Sequence, residues 1–380
     1  MNYSTKPVWV ANAVSLQKMI TDLCAHSIIA VDTESNSLFA YYEQVCLIQF
    51  STPETDYLVD TLAIEDLSSL GSIFSNPDIE NVFHAAEYDL ICLKRDFGFT
   101  FTNIFDTMVG ARNLGWKRTG LGNILEENFG VKVNKKYQRA NWGKRPLEQA
   151  QLDYARTDTH YLIQLRHLIH DELVRMGRWD MAKEQFRQAV NVNIPEPNDP
   201  ILTCWRSCRS ADLNERQRTV LYEICRYREE YAQRINRPPF KVLSKEIMIR
   251  VAQECPRSID TLQQKTNLKG RNLERHGKGL VQAVQRGLRS PIFRDQRQYN
   301  HYNETYQMNL EILREWRKNQ AKTLNVESDV VMTRGTMEGI AHRNPQTMEE
   351  LKKAMRQCPE RFDQYGQHIL YILQHNNSTR

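Results

Sequence analysis

The stretch SIIAVDTES, residues 27–35, decides how the chain reads. Ile28, Ile29, Ala30 and Val31 form an apolar run of strand length and predict a buried β-strand. Asp32 and Glu34 follow at its tip. Strand side chains alternate between faces, so positions 32 and 34 stand side by side on one of them. Two carboxylates so placed repel unless a positive charge lies between them. Taken alone, this D-x-E is more simply a solvated turn after a strand, so the rest of the chain has to decide.

Two further runs, QVCLIQFST (44–52) and TDYLVDT (55–61), complete what reads as a three-stranded antiparallel meander. A helical stretch, IEDLSSLGSIFS (64–75), comes next. NVFHA (81–85) then predicts a short strand, and EYDLICLKRDFG (87–98) a helix stopped by Gly98. From there the pattern is helical to residue 190. Strands first, then strand and helix in alternation, predict an α/β domain over 1–190 with a mixed sheet and flanking helices.

NVNIPEPNDP (191–200) has no apolar periodicity and opens a linker assigned to 191–206. Everything beyond reads as helix, and it repeats. A constant shift of 89 residues aligns Arg228 with Arg317, Met248 with Met337, Ala252 with Ala341, Pro256 with Pro345 and Gly277 with Gly366. This predicts two copies of one small all-α module, 207–289 and 300–380, joined by RSPIFRDQRQYN (289–300).

Charge is divided along the chain. Residues 1–190 carry 19 Lys+Arg against 24 Asp+Glu, leaving 32 and 22 of the totals of 51 and 46 for the remainder. An acidic half followed by a basic one suits a polyanionic partner for the tail, although a solvated helical surface would share that composition. No stretch approaches eighteen consecutive apolar residues, so no membrane span is expected. The N-terminus lacks a signal pattern, and the expected location is the cytoplasm. The eight cysteines form no C-x-x-C pair. Cys204 and Cys208 lie at i and i+4 but lack two further zinc ligands, so all are read as reduced thiols. No G-x-x-x-x-G-K-[ST] occurs, which excludes a helicase motor in this chain.

Two downstream motifs answer the question raised by Asp32 and Glu34. HAAEYDL (84–90) puts Asp89 on the first turns of the helix after NVFHA, and DYARTDTHYL (153–162) puts Tyr154 and Asp158 on one helix face. If Asp32, Glu34, Asp89 and Asp158 converge, their repulsion calls for hard divalent cations with oxygen ligands, Mg²⁺ or Mn²⁺. Two such ions are the usual arrangement for hydrolysing a phosphodiester. Just upstream, VKVNKKYQRANWGKRPL (131–147) interleaves Lys136, Arg139, Lys144 and Arg145 with Tyr137 and Trp142. Cations for phosphates and rings for bases suit single-stranded nucleic acid, and the alternative is a solvated loop with Trp142 turned to the core. His84 is a candidate phosphate contact, or a structural histidine at a strand end. Asp106, in IFDT, reads as a structural acid or helix N-cap.

DTE (32–34), HAAEYD (84–89) and YARTD (154–158), with CLIQF, IFDT and RPL nearby, resemble the exonuclease motifs of ribonuclease D. That family belongs to the DEDD 3′–5′ exonucleases, and the tyrosine four residues before the last aspartate matches their tyrosine subclass. The paired helical modules resemble HRDC domains. The resemblance implies an RNase-H-like fold for the first domain and removal of 5′-mononucleotides from RNA 3′ ends. It also implies tRNA precursors as substrates and two divalent cations as cofactors. By its terms Asp32 bridges both cations, Glu34 and Asp158 complete the nucleophile-side site, and Asp89 supports the leaving-group side through water. Tyr154 orients the attacking water, its ordinary pKa near 10 making it a poor base. The segment SNSLFAYYEQ (35–44) departs from the Arg/Thr-rich pattern common in bacterial members, which leaves substrate-end preference open.

The chain is expected to act as a monomer on RNA with a single-stranded 3′ end and to have no membrane partner. Three rival functions are weighed: a 3′–5′ DNA exonuclease, because the motifs do not encode sugar choice; a non-catalytic nucleic-acid-binding protein working through its HRDC modules, against which the presence of all four acids and Tyr154 weighs; and an HRDC-centred interaction subunit of a helicase complex.

Overall fold

The computed structural model describes residues 6–196, 198–208, 210–295 and 304–376. The described residues divide into two compact units, one built from those up to Ser35, Val45–Ile194 and those from Glu304 on, the other from Asn36–Gln44 and those between Pro195 and Asp295.

The first unit opens with β1 (Val8–Val10), α1 (Ala13–Leu23), β2 (Ile28–Ser35), β3 (Val45–Ser51), β4 (Asp56–Asp60), α2 (Gly71–Phe74) and β5 (Glu80–Phe83). It continues with α3 (Glu87–Phe97), β6 (Ile104–Asp106), α4 (Thr107–Leu114), α5 (Leu121–Phe129), α6 (Gln149–His160), α7 (Leu162–Arg175) and α8 (Trp179–Ala189). The six strands form one sheet in the order β1-β4-β3-β2-β5-β6. β2, β3 and β4 are the antiparallel meander read from the sequence. β1 runs parallel to β4, β5 to β2 and β6 to β5, so the sheet is mixed. Two strands escaped the sequence reading: β1, and β6 within a stretch expected to be helical. Each is three residues long, too short for period-2 alternation to register.

Alternation along β2 places the acids. Ile29 and Val31 pack with Leu16, Phe74 and Leu90 on one face of the sheet. Ala30 points to the other face, with Leu162, Leu165 and Ile169 of α7. Asp32 and Glu34 continue the Ala30 face, toward the side covered by α6 and α7.

The second unit carries α9 (Pro200–Ser207), α10 (Glu215–Arg234), α11 (Pro239–Val242), α12 (Lys245–Glu254), α13 (Ile259–Lys265) and α14 (Gly270–Arg289) around a core of Val220, Ile224, Met248 and Leu280. All of α9 but its last residue falls within the expected linker. Asp199 starts it by accepting from the N–H groups of Ile201 and Leu202, with Pro200 at the first helical position. The reading of all cysteines as reduced thiols is also corrected. α9 lies against α10, which brings Cys204 and Cys225 to a Cα separation of 5.9 Å, and the two form a disulfide. Cys208 is a buried free thiol.

α15 (Glu304–Leu324), α16 (Ser328–Val331), α17 (Arg334–Arg343), α18 (Met348–Ala354) and α19 (Pro359–Asn376) form the second copy. Every helix from α10 to α14 recurs with its first residue shifted by 89, from Glu215/Glu304 to Gly270/Pro359. The left-handed residues recur too: Asn236 and Asn325, Cys255 and Asn344. Part of the expected joining segment, residues 296–300, lies outside the described residues.

The second copy belongs to the same compact unit as the sheet. Glu184 of α8 is buried and paired with buried Arg361. Its Oε2 also accepts from the backbone N–H of Glu360 (2.8 Å) and Arg361 (3.2 Å), capping α19. Arg361 donates further to the carbonyls of Val330 (2.7 Å) and Val331 (2.9 Å). Arg112 reaches Asp329 at 2.6 Å. No described helix is long and apolar enough to cross a membrane.

Candidate active site

Three elements deliver the five predicted residues. β2 supplies Asp32 and Glu34, the first turn of α3 supplies Asp89, and α6 supplies Tyr154 and Asp158. α6 is held on the sheet by polar contacts on one flank. Arg156 Nε pairs with Asp56 Oδ2 at 2.5 Å, His160 Nδ1 lies 2.9 Å from the same oxygen, and Ser51 Oγ donates to Thr159 Oγ1 at 2.7 Å. Tyr154 and Asp158 face the cluster from this anchored helix, and their side chains hydrogen-bond to each other.

One carboxylate oxygen from each of Asp32, Glu34 and Asp158 lies within 4.8 Å of the others. Asp89 joins them through Thr33, whose hydroxyl donates to Asp89 Oδ1. Thr33 thus ties the strand of two acids to the helix of the third.

The electrostatics are those of unneutralised negative charge. Burial, then the charges of Asp89, Asp158 and Glu34, holds the Asp32 carboxyl well above the ordinary carboxylate range. Glu34 is raised by burial and then by Asp158 and Asp89. Burial lifts Asp89 to about 7 against the bond from Thr33, and Asp158 to about 8 against the bond from Tyr154. Burial, followed by the charges of Asp158, Glu34 and Asp32, pushes the Tyr154 phenol up, so it keeps its proton at neutral pH.

An all-oxygen donor set crowded to this degree fits hard divalent cations such as Mg²⁺ or Mn²⁺. A bound cation would replace repulsion by attraction and restore the carboxylates to their ionised form.

The basic segment resolves into two groups. Lys136, Arg139 and Lys144 are exposed, and Tyr137 is half-buried with its ring 6.2 Å from that of Tyr154. Trp142 and Arg145 are corrections to the reading of the whole segment as a substrate surface. Trp142 is 1% exposed and packs with Cys46, Leu47, Leu58 and Tyr154. Arg145 forks onto Asp60 (2.6 and 2.9 Å) and also donates to the carbonyls of Cys46 and Trp142 (both 2.7 Å). A guanidinium so engaged fastens the loop to β3 and β4. His84 is half-buried, and its Nδ1 lies 2.9 Å from Thr107 Oγ1.

Two residues went unread in the sequence. Thr33 could have been found as the polar residue between the acids on the opposite face. Gln49 stands directly across from Asp32 in the β2–β3 register, fully buried, with neither amide atom bonded to a described residue. An amide inside the apolar run CLIQF was its only signal.

Comparison with known proteins matches residues 7–174 to a family described as 3′–5′ exonuclease, and residues 217–284 and 307–373 to the HRDC domain. The chain is 30% identical over 299 residues to the exosome complex exonuclease RRP6 of Saccharomyces cerevisiae, covering 75% of this chain and 41% of that protein. It therefore spans well under half the length of that relative. It is also 30% identical over 281 residues to a ribonuclease D of Gluconacetobacter diazotrophicus, covering 73% of this chain and 71% of the relative. The fold matches the crystal structure of Escherichia coli RNase D with a TM-score of 0.68 at 23% identity, over 99% of both chains.

Proposed function

Because the chain belongs to the ribonuclease D family, we propose that it is a divalent-metal-dependent 3′–5′ exoribonuclease releasing 5′-mononucleotides from RNA with a single-stranded 3′ end. The observation that carries the reading is the convergence of Asp32, Glu34 and Asp158 within 4.8 Å, with Asp89 tied in through Thr33. Exonucleases of this family use divalent metal ions. When bound here, Mg²⁺ or Mn²⁺ would polarise the scissile phosphate and acidify water.

The chain's own residues divide the rest of the work. Asp32 feels the charges of Asp89, Asp158 and Glu34 and would hold the cations together with them. Glu34 and Asp158 would hold the nucleophile side, and Asp89 the leaving-group side. Tyr154 keeps its proton and hydrogen-bonds Asp158, so it orients the attacking water through its phenol oxygen and does not abstract a proton. Exposed Lys136, Arg139 and Lys144 would take the phosphates of the incoming strand, with Tyr137 beside them.

For the substrate we propose the 3′ extensions of tRNA precursors, for the location the cytoplasm and for the working form a monomer. Chromatography of the products from a 3′-extended tRNA precursor tests this reading. Nucleoside 5′-monophosphates released one at a time, lost in Asp158→Asn, are expected. Release from a matched DNA strand alone, or of oligonucleotides, would overturn it.

A further inference from the structure

We propose that Asp106 is a positioning residue for Asp89, acting through the left-handed turn that launches α3. The inference rests on the metal-site reading of Asp89 given above. Asp106 ends β6 and is 3% exposed. Its carboxylate accepts four backbone N–H groups. Oδ1 takes those of Met108 (2.8 Å), Val109 (3.1 Å) and Ala85 (3.0 Å), and Oδ2 takes that of Ala86 (2.8 Å).

Met108 and Val109 belong to the first turn of α4, and binding them is ordinary N-capping. Ala85 and Ala86 lie on a different element, between β5 and α3. Ala85 has a φ of +63°, the left-handed region that alanine rarely enters because its Cβ crowds the backbone. Such a conformation persists only where the surroundings over-determine it. Here they do. The neighbouring Thr107 hydroxyl donates to the carbonyl of Phe83 at 3.0 Å and lies 2.9 Å from the His84 ring. Asp106 and Thr107 therefore hold four consecutive residues, from Phe83 to Ala86.

Ala86 is the N-cap of α3, and Asp89 follows on its first turn. A helix transmits the orientation of its start rigidly over three residues. The direction in which Ala85 turns the chain therefore sets where the Asp89 carboxylate meets Thr33 and the acids of β2.

The test compares wild type with Asp106→Asn, Ala85→Gly and the double variant. Asparagine keeps one carbonyl oxygen for the α4 cap and replaces the other acceptor by a donor. Glycine takes the left-handed turn without needing a clamp. Hydrogen exchange of the 84–93 peptide is read in metal-free protein, Mn²⁺ binding by electron paramagnetic resonance, and kcat and KM on RNA. Asp106→Asn is expected to speed exchange in this peptide, weaken Mn²⁺ binding and lower kcat by about 10–100-fold with KM unchanged, as a displacement near 1 Å would do. Adding Ala85→Gly is expected to recover several-fold in both binding and kcat, which loss of an α4 cap alone would not allow. Thr107→Val, which leaves that cap intact, is expected to speed exchange in the same peptide. Unchanged exchange and Mn²⁺ affinity in Asp106→Asn would overturn the proposal, as would losses that Ala85→Gly leaves untouched. If wild type and Asp32→Ala bind Mn²⁺ alike, the metal-site reading fails instead, and exchange of the 84–93 peptide still decides whether Asp106 sets the turn.

Discussion

The hydroxyl of Tyr154 hydrogen-bonds the carboxylate of Asp158 one turn further along α6. The phenol is buried among acids and keeps its proton, so its contribution is geometric. Removing it in Tyr154→Phe is expected to leave the fold and Mn²⁺ stoichiometry intact and to lower kcat about 10²-fold. Asp158 also loses a bond that stabilises its charged form, so metal competes less well with its proton, and the pH at which metal binds and activity appears should move up. Single-turnover rates across pH for both proteins check this.

Stability without metal should fall as pH rises. Asp89 and Asp158 are raised to about 7 and about 8 in the folded chain, whereas unfolded carboxyls titrate near 4. Between these values the folded protein holds protons that the unfolded chain has released, so each step upward in pH favours unfolding. The loss accrues from about pH 4 and levels off above about pH 8. In EDTA, Tm should therefore be higher at pH 6 than at pH 8. Mn²⁺ should raise Tm more at pH 8, where fewer protons must be displaced. Thermal melts with and without metal measure both trends.

The same repulsion predicts a variant that is more stable and inactive. Asp158→Asn deletes one buried charge while keeping the shape of the side chain. At pH 8 in EDTA its Tm should exceed that of wild type by a few °C, while stepwise RNA shortening disappears. A Tm below wild type under those conditions would mean that crowding of the acids does not strain the apo site.

Arg361 is expected to be a fold residue with a large effect. It pairs with buried Glu184, which also caps α19. Arg361→Ala leaves that carboxylate buried without its cation and should cost about 3–5 kcal/mol of stability. Glu184→Leu combined with Arg361→Met should recover only part of it: packed apolar pairs replace buried ion pairs well, but here they leave the N–H groups of Glu360 and Arg361 and the carbonyls of Val330 and Val331 without these partners. Denaturant unfolding of the three proteins separates these outcomes.

The basic segment should split by exposure. Lys136→Ala and Lys144→Ala are expected to raise KM for RNA, leave Tm unchanged and each flatten the salt dependence of binding by about 0.7 in log–log slope. Arg145→Ala is expected to lower Tm, because the guanidinium fastens its loop to Asp60 and two carbonyls.

What the sequence made legible followed from periodicity and local order. The β2–β3–β4 meander showed as apolar runs with breaks, the four acids as motifs in order, and the helical repeat as a constant offset of 89 residues. What it hid was tertiary. Trp142 and Lys136 belong to one basic, aromatic segment, and only packing against Leu47 and Leu58 turns the ring inward. Cys204 and Cys225 are separated by 21 residues on different helices, and no spacing rule pairs them. Asp106 could be read as a helix cap from its own neighbours, but its hold on Ala85 and Ala86 spans about twenty residues. The two modules look alike in sequence, yet the second shares a unit with the sheet through Glu184 and Arg361, neither of which belongs to a repeat match.

The central claim is that Asp32 and its neighbours form a metal site that shortens RNA from its 3′ end. The most direct test is a sequencing gel of a 3′-extended tRNA precursor and a matched DNA strand, digested with Mg²⁺ or Mn²⁺ by wild type and by Asp32→Ala. Single-nucleotide shortening of the RNA, abolished by EDTA and by the substitution, is the predicted result. Shortening that survives both, or an intact RNA bound tightly by wild type, would contradict the account.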